Sequence, residues 1–174
     1  TYRLTSPERE ARLLSETGPY VGIQNPIAPD RCVMRRSLLA SVLEVLERNA
    51  RLRERLAFFE IGPVFHPVAD QQLPAEPPRL ALVLAGRREL ATWDQPHAEM
   101  MDFFDLKGLV EQMLEGLHLE GAAFEPVADD PRFHPGKCAA LIINAVPLGI
   151  LGELHPALQQ KYDLANLPVL AADL

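Results

Sequence analysis

Cysteine is nearly absent from this chain. Its two residues, Cys32 and Cys138, lie far apart, with no CxxC pair and no spacing that suits a metal clamp or a disulfide framework. A reducing, cytoplasmic setting is the expectation. Long hydrophobic runs are missing too: no stretch approaches the roughly 18 to 20 apolar residues of a membrane span. The first residues also lack the charged-then-apolar layout of a signal peptide. We therefore expect a soluble protein with no membrane partner. Basic charge is in deficit, with 17 Lys and Arg against 24 Asp and Glu, a net charge of −7 and a pI near 5.2. Such a surface repels a polyanion on average, and basic residues are not interleaved with aromatics, so nucleic acid is disfavoured as a direct partner. No glycine-rich phosphate cradle is present, because Gly149-Ile150-Leu151-Gly152 lacks the lysine and serine of a P-loop. Neither is there a G-x-S-x-G turn to present a serine nucleophile.

What remains is 174 residues, 48% hydrophobic, enough for one core and too few for two comfortable domains, so residues 1–174 are read as a single domain. The start at Thr1 and the stop at Leu174 on an apolar run suggest a fragment of a larger chain. Ser6-Pro7-Glu8 sets a cap, a helix-starting proline and a first-turn acid for a short helix. Residues 20–24 read as a strand, followed by a proline-restricted loop at 25–30. Ser37 can cap the strongest helix, where Leu38, Leu39, Val42, Leu43, Val45 and Leu46 recur at helical spacing. That stripe is wide, so either the chain's own sheet covers it or another chain does. Residues 56–65 and 79–86 read as paired antiparallel strands around a proline-rich link. Asp102 opens a second long helix. Strands at 121–127, 137–145 and 148–154 follow, the last two joined through Val146-Pro147. A short helix at 156–162 and a strand at 168–172 end the chain. The order favours an α+β fold, a mostly antiparallel sheet flanked by helices.

Candidate chemistry is sparse. His66, His97, His118, His134 and His155 show neither HExxH spacing nor a cysteine pair. Structural turn or helix-start roles suffice for His134-Pro135-Gly136 and His155-Pro156, and Asp129 and Asp130 before Pro131 read as turn residues. Asp102 and Asp105 share a helix face, but acids at a helix start answer the dipole. No complete catalytic, cofactor or metal site emerges. A free-standing small-molecule enzyme using His66, His134, Asp129 and Glu153 as acid–base groups is the alternative reading.

Several blocks, in order, carry a resemblance: Asn25-Pro26-Ile27; Val33-Met34-Arg35-Arg36-Ser37-Leu38-Leu39; Phe59-Glu60-Ile61-Gly62-Pro63-Val64-Phe65; Asp102-Phe103-Phe104-Asp105-Leu106-Lys107-Gly108; His134-Pro135-Gly136; and Gly149 through Pro156. Together they resemble the synthetase-like region of bacterial phenylalanine–tRNA ligase beta subunits across nearly the whole chain. The resemblance implies a class II synthetase-like fold that has lost its own chemistry and packs against a catalytic alpha subunit in an alpha2 beta2 assembly. It implies a subunit-interface role for the helix beginning at Ser37, through Leu38, Leu39, Val42, Leu43, Val45 and Leu46. ATP and magnesium would belong to the whole enzyme and not to this piece, and tRNA would be reached only through other parts of the complex. An active site of this class places an arginine on the α-phosphate and another on the γ-phosphate. Here His66 follows Phe65, and the late strand ends Gly152-Glu153-Leu154 with no arginine.

Overall fold

The structure, a computed structural model, describes residues 1–14, 18–94 and 98–174. Ser6 accepts from the Arg9 backbone and starts helix α1 (Pro7–Glu10), just after a short strand β1 (Leu4–Thr5) that pairs with β2 (Val33–Met34). The expected strand at 20–24 is not formed. A single bridge, Gly22 to Val33, with the bonds Ile23 N–H to Cys32 O and Met34 N–H to Val21 O, takes its place. Proline at 19, 26 and 29 leaves too little free backbone for a longer ladder.

Helix α2 (Leu38–Ala50) is capped by the Ser37 hydroxyl, which accepts from the Ala40 backbone. It lies against one face of a six-stranded, wholly antiparallel sheet. In sequence these strands are β3 (Arg55–Pro63), β4 (Pro78–Gly86), β5 (Ala122–Pro126), β6 (Phe133–Ile143), β7 (Val146–Leu154) and β8 (Val169–Asp173); in space they run β3-β4-β8-β7-β6-β5. Helix α3 (Phe103–Gly116) covers the opposite face, and α4 (Pro156–Lys161) joins β7 to β8. With both faces covered, the central strands carry unbroken apolar runs. On β4, Ala81, Val83 and Ala85 meet the α2 side, while Leu82 and Leu84 meet the α3 side. On β8, Val169 and Ala171 divide from Leu170 and Ala172 in the same way.

The β6–β7 hairpin turns two residues earlier than expected, at Asn144-Ala145 and not at Val146-Pro147. Asn144 and Ala145 both have positive φ, 50° and 65°, the left-handed pair of a tight two-residue turn. Pro147 sits inside β7 opposite Ile142, where the register shifts and a missing N–H is tolerated. Gly86 needs its missing side chain for two reasons: its φ is +91°, and a Cβ there would lie 2.0 Å from the Glu54 carbonyl.

Leu38, Leu39, Val42, Leu43 and Leu46 are all buried in this chain's own core against β3, β4 and β8. Only Val45 among the six stripe residues stays partly open. The question the stripe posed is thus answered within the chain: its width matches its own sheet. Leu43→Ala is accordingly expected to lower unfolding free energy by about 2–5 kcal/mol, and Val45→Ala by under ~1 kcal/mol, read from denaturant midpoints.

Candidate functional site

Most of the polar residues singled out in the sequence are held by local structure. The His134 Nδ1 accepts from Gly136 N–H at 3.1 Å, and His155 is the cap of α4, its Nδ1 accepting from Ala157 N–H at 3.2 Å. His118 ends α3 with a left-handed φ of 55°. His97 lies outside the described residues. Asp102 and Asp105 form a capping box at the start of α3, and Arg88 bonds to both carboxylates. Glu153 is bound across the strands to Lys137 at 2.6 Å. The glycines of the Gly149–Gly152 block serve close approach of strands: a Cβ at 149 would lie 2.0 Å from the Asp173 carbonyl, and one at 152 would lie 2.6 Å from the Lys137 carbonyl. Cys138 is buried, and burial pushes its thiol up to about 11, so it stays protonated and unreactive. Among the described residues, no three His, Cys, Asp or Glu gather as metal ligands.

Of the four alternative acid–base residues, Asp129 is exposed while its neighbour Asp130 is bound, and none of the four lines the cleft at the end of α2 described below. Asp130 accepts from Arg132 N–H, Nε and Nη2, and Arg132 bridges on to Asp173 at 2.5 Å. Burial alone would raise the Asp130 pKa, but the hydrogen bonds and charge of Arg132 outweigh it and hold the carboxyl below its ordinary value. This ties the loop before β6 to the end of β8.

A second buried pair was not visible in the sequence. Arg35, 2% exposed, donates Nη1 to Glu60 at 2.5 Å and Nε to the Pro63 carbonyl at 3.1 Å, locking β2 to β3. Arg35 stands between apolar and basic neighbours and Glu60 on an exposed-looking strand, so no local pattern joins them. Glu10, 1% exposed, takes backbone N–H groups of Arg36 and Ser37 at 2.8 and 3.3 Å and so supports the start of α2. Burial raises its pKa, partly opposed by those two bonds and by the charges of Arg36 and Arg35.

His66, after Phe65, exchanges both backbone hydrogen bonds with Ala75 at 3.0 and 2.9 Å. Burial lowers its pKa, and the charges of Arg36 and Arg79 lower it further. Arg36 itself is drawn over the Tyr20 ring, 5.4 Å away. The ring itself, kept neutral, carries no permanent charge, while the guanidiniums of Arg36 and Arg79 lie near enough to act on it. Because the folded pKa lies below the ordinary 6.5, the unfolded chain takes up the proton first. Stability present above pH 6.5 is therefore lost as pH falls through the folded pKa, and His66→Gln should flatten the stability profile as pH falls below 6.5, measured by denaturation at each pH.

Set against known proteins, the fold and sequence agree. The family model for the phenylalanyl tRNA synthetase beta chain CLM domain matches residues 1–174. A phenylalanine–tRNA ligase beta subunit from Symbiobacterium thermophilum is 40% identical over 169 residues, covering 94% of this chain and 19% of that protein. One from Geobacillus kaustophilus is 34% identical over 165 residues, covering 94% and 20%. The chain thus spans about a fifth of the length of these curated relatives. A solved pyrrolysyl-tRNA synthetase from Desulfitobacterium hafniense superposes on all of this chain and 58% of its own, with TM-score 0.67 and 14% identity, which shows a shared class II synthetase fold. An antiparallel sheet packed on both faces, the ordered sequence blocks and the full-length family match together place this chain in the phenylalanyl tRNA synthetase beta chain CLM domain family.

Proposed function

We propose that residues 1–174 act as one non-catalytic, structural domain of a phenylalanine–tRNA ligase beta subunit, supporting a catalytic alpha subunit in a cytoplasmic alpha2 beta2 assembly. The observation that carries this reading is the outer face of β3. Strand β3 lies at the sheet edge, and its Phe59 and Ile61 are 71% and 69% exposed on the face that α3 leaves open. Edge strands are ordinarily blunted by charge, proline or a covering element, and paired exposed aromatic and aliphatic residues mark an association surface. On α2, the strip still available to a partner is Val45 with Ser41, Glu44 and Arg48, since the rest of its apolar stripe is in the core.

In this reading the chain binds neither ATP nor magnesium; both belong to other parts of the whole enzyme. The neutral His66 and the local engagement of Asp102, Asp105, Glu153 and His155 support it. No helix among the described residues is long and apolar enough to cross a membrane, in keeping with a soluble assembly.

Co-expression with the alpha subunit is the test. The two chains should co-purify, the double variant Phe59→Asp, Ile61→Asp should weaken the complex by about tenfold or more, and Leu148→Asp on the far strand should not. The chain alone should show no phenylalanine-dependent ATP–pyrophosphate exchange; exchange by the isolated chain would overturn the reading.

A further inference from the structure

One end of the molecule departs from its acidic average. From the last turn of α2 to the start of β3 the chain carries Arg48, Arg51, Arg53, Glu54 and Arg55, four guanidiniums against one carboxylate. There the end of α2, the start of β3 and the end of β4 enclose a cleft of about 430 Å³, lined by Arg51, Leu52, Arg53, Arg87, Met100 and Leu167, with Glu54 at its edge. Arg87 is partly answered by Glu54 at 3.3 Å, and Arg51 by Asp163. Arg53 has no carboxylate partner among the described residues. Beside these cations lie large apolar groups in water: Leu52 is 74% exposed and Met100 38%. The Arg87–Met100 bridge is also the stem of a loop that carries Leu90 and Trp93, 63% and 96% exposed.

Arginine and methionine beside an exposed leucine make a mixed charged and apolar lining of the kind found at protein–protein interfaces. We propose that this cleft docks an acidic amphipathic segment of another protein chain, its carboxylates on Arg53 and Arg87 and its apolar side chains on Leu52 and Met100. The exposed Leu52 and Met100 side chains decide against a nucleic-acid backbone, which offers no aliphatic group to cover them. Charge range decides the same way. The screening length in physiological salt is about 8 Å, so a short segment with a few carboxylates feels these arginines and little of the net −7, whereas a long polyanion meets the whole acidic surface. The cleft lies at the start of β3, with Arg53 six residues before Phe59, but it includes neither Phe59 nor Ile61 and does not depend on the alpha-subunit reading.

The probes are fluorescein-labelled synthetic helices of about four turns. The first carries leucine at i, i+3, i+4 and i+7 with glutamate elsewhere; the second has lysine for glutamate, the third serine for leucine, and a short oligouridylate stands for RNA. We expect the leucine–glutamate helix to bind, read by fluorescein anisotropy, with Arg53→Glu and Leu52→Asp each weakening it by about tenfold or more at unchanged circular dichroism. Arg53 and Leu52 are exposed, so both variants should fold. Equal binding of the lysine or serine helix, tighter binding of oligouridylate, or indifference to both substitutions would overturn the proposal.

Discussion

The last strand holds the sheet together. Strand β8 lies between β4 and β7, so without it the β3–β4 hairpin and the β5–β6–β7 meander would be two separate ribbons. Its five residues divide between the two cores, Val169 and Ala171 toward α2, Leu170 and Ala172 toward α3. Removing β8 would expose both cores at once. The small side chains matter as much as the apolar ones: Ala81, Ala85 and Ala171 let α2 sit low on the sheet, so its leucines reach full burial. The ionic tie from Asp130 through Arg132 to Asp173 then fastens the end of β8 to the loop before β6. Because Arg132 holds the Asp130 carboxyl below its ordinary pKa, that bond persists at neutral pH and weakens only under acid.

The sequence made the fold legible wherever one period dominated. Both long helices, their caps at Ser37 and Asp102, and every strand of the six-stranded sheet were readable from apolar spacing, to within a few residues at the ends. Periodicity failed in three places, each for a physical reason. At 20–24 an apolar pattern promised a strand, but flanking prolines left only one bridge. At the hairpin, Pro147 drew attention as the turn former, although the left-handed backbone falls at Asn144 and Ala145, where asparagine tolerates positive φ. At α2, periodicity identified the stripe but held no information on what would cover it. Burial is a property of the partner element, here β4 and β8, which lie far along the chain.

Site-level legibility was poorer because pairing is three-dimensional. Arg35 with Glu60 and Arg132 with Asp173 are separated by 25 and 41 residues, and nothing local to any of the four announces its partner. By contrast, the roles of His155 as a helix cap, His134 as a turn residue and Asp102 with Asp105 as a capping box were readable, since each bond spans two or three residues. Local chemistry is what a sequence encodes most directly. The same fact argues against a cryptic active site among these residues, because a side chain whose hydrogen bond already completes a helix start would leave that backbone group unpaired if it turned to a substrate.

A fold related to nucleotide-using synthetases can lose charge at a strand end without losing shape, and the energetics explain why. Stability here comes from two apolar cores and a few partly buried ion pairs, none of which includes His66. That residue contributes its backbone pairing to Ala75, which any residue but proline would supply, so its side chain is free to vary at little cost to folding. An arginine there would face the charges of Arg36 and Arg79 with no bound anion to offset them, whereas a histidine escapes that repulsion by staying neutral. The neighbouring Arg36 has meanwhile become part of the framework, with its backbone N–H on buried Glu10 and its guanidinium over Tyr20. A change that relieves repulsion and leaves both cores untouched is the kind a scaffold retains once chemistry is no longer selected at that strand end.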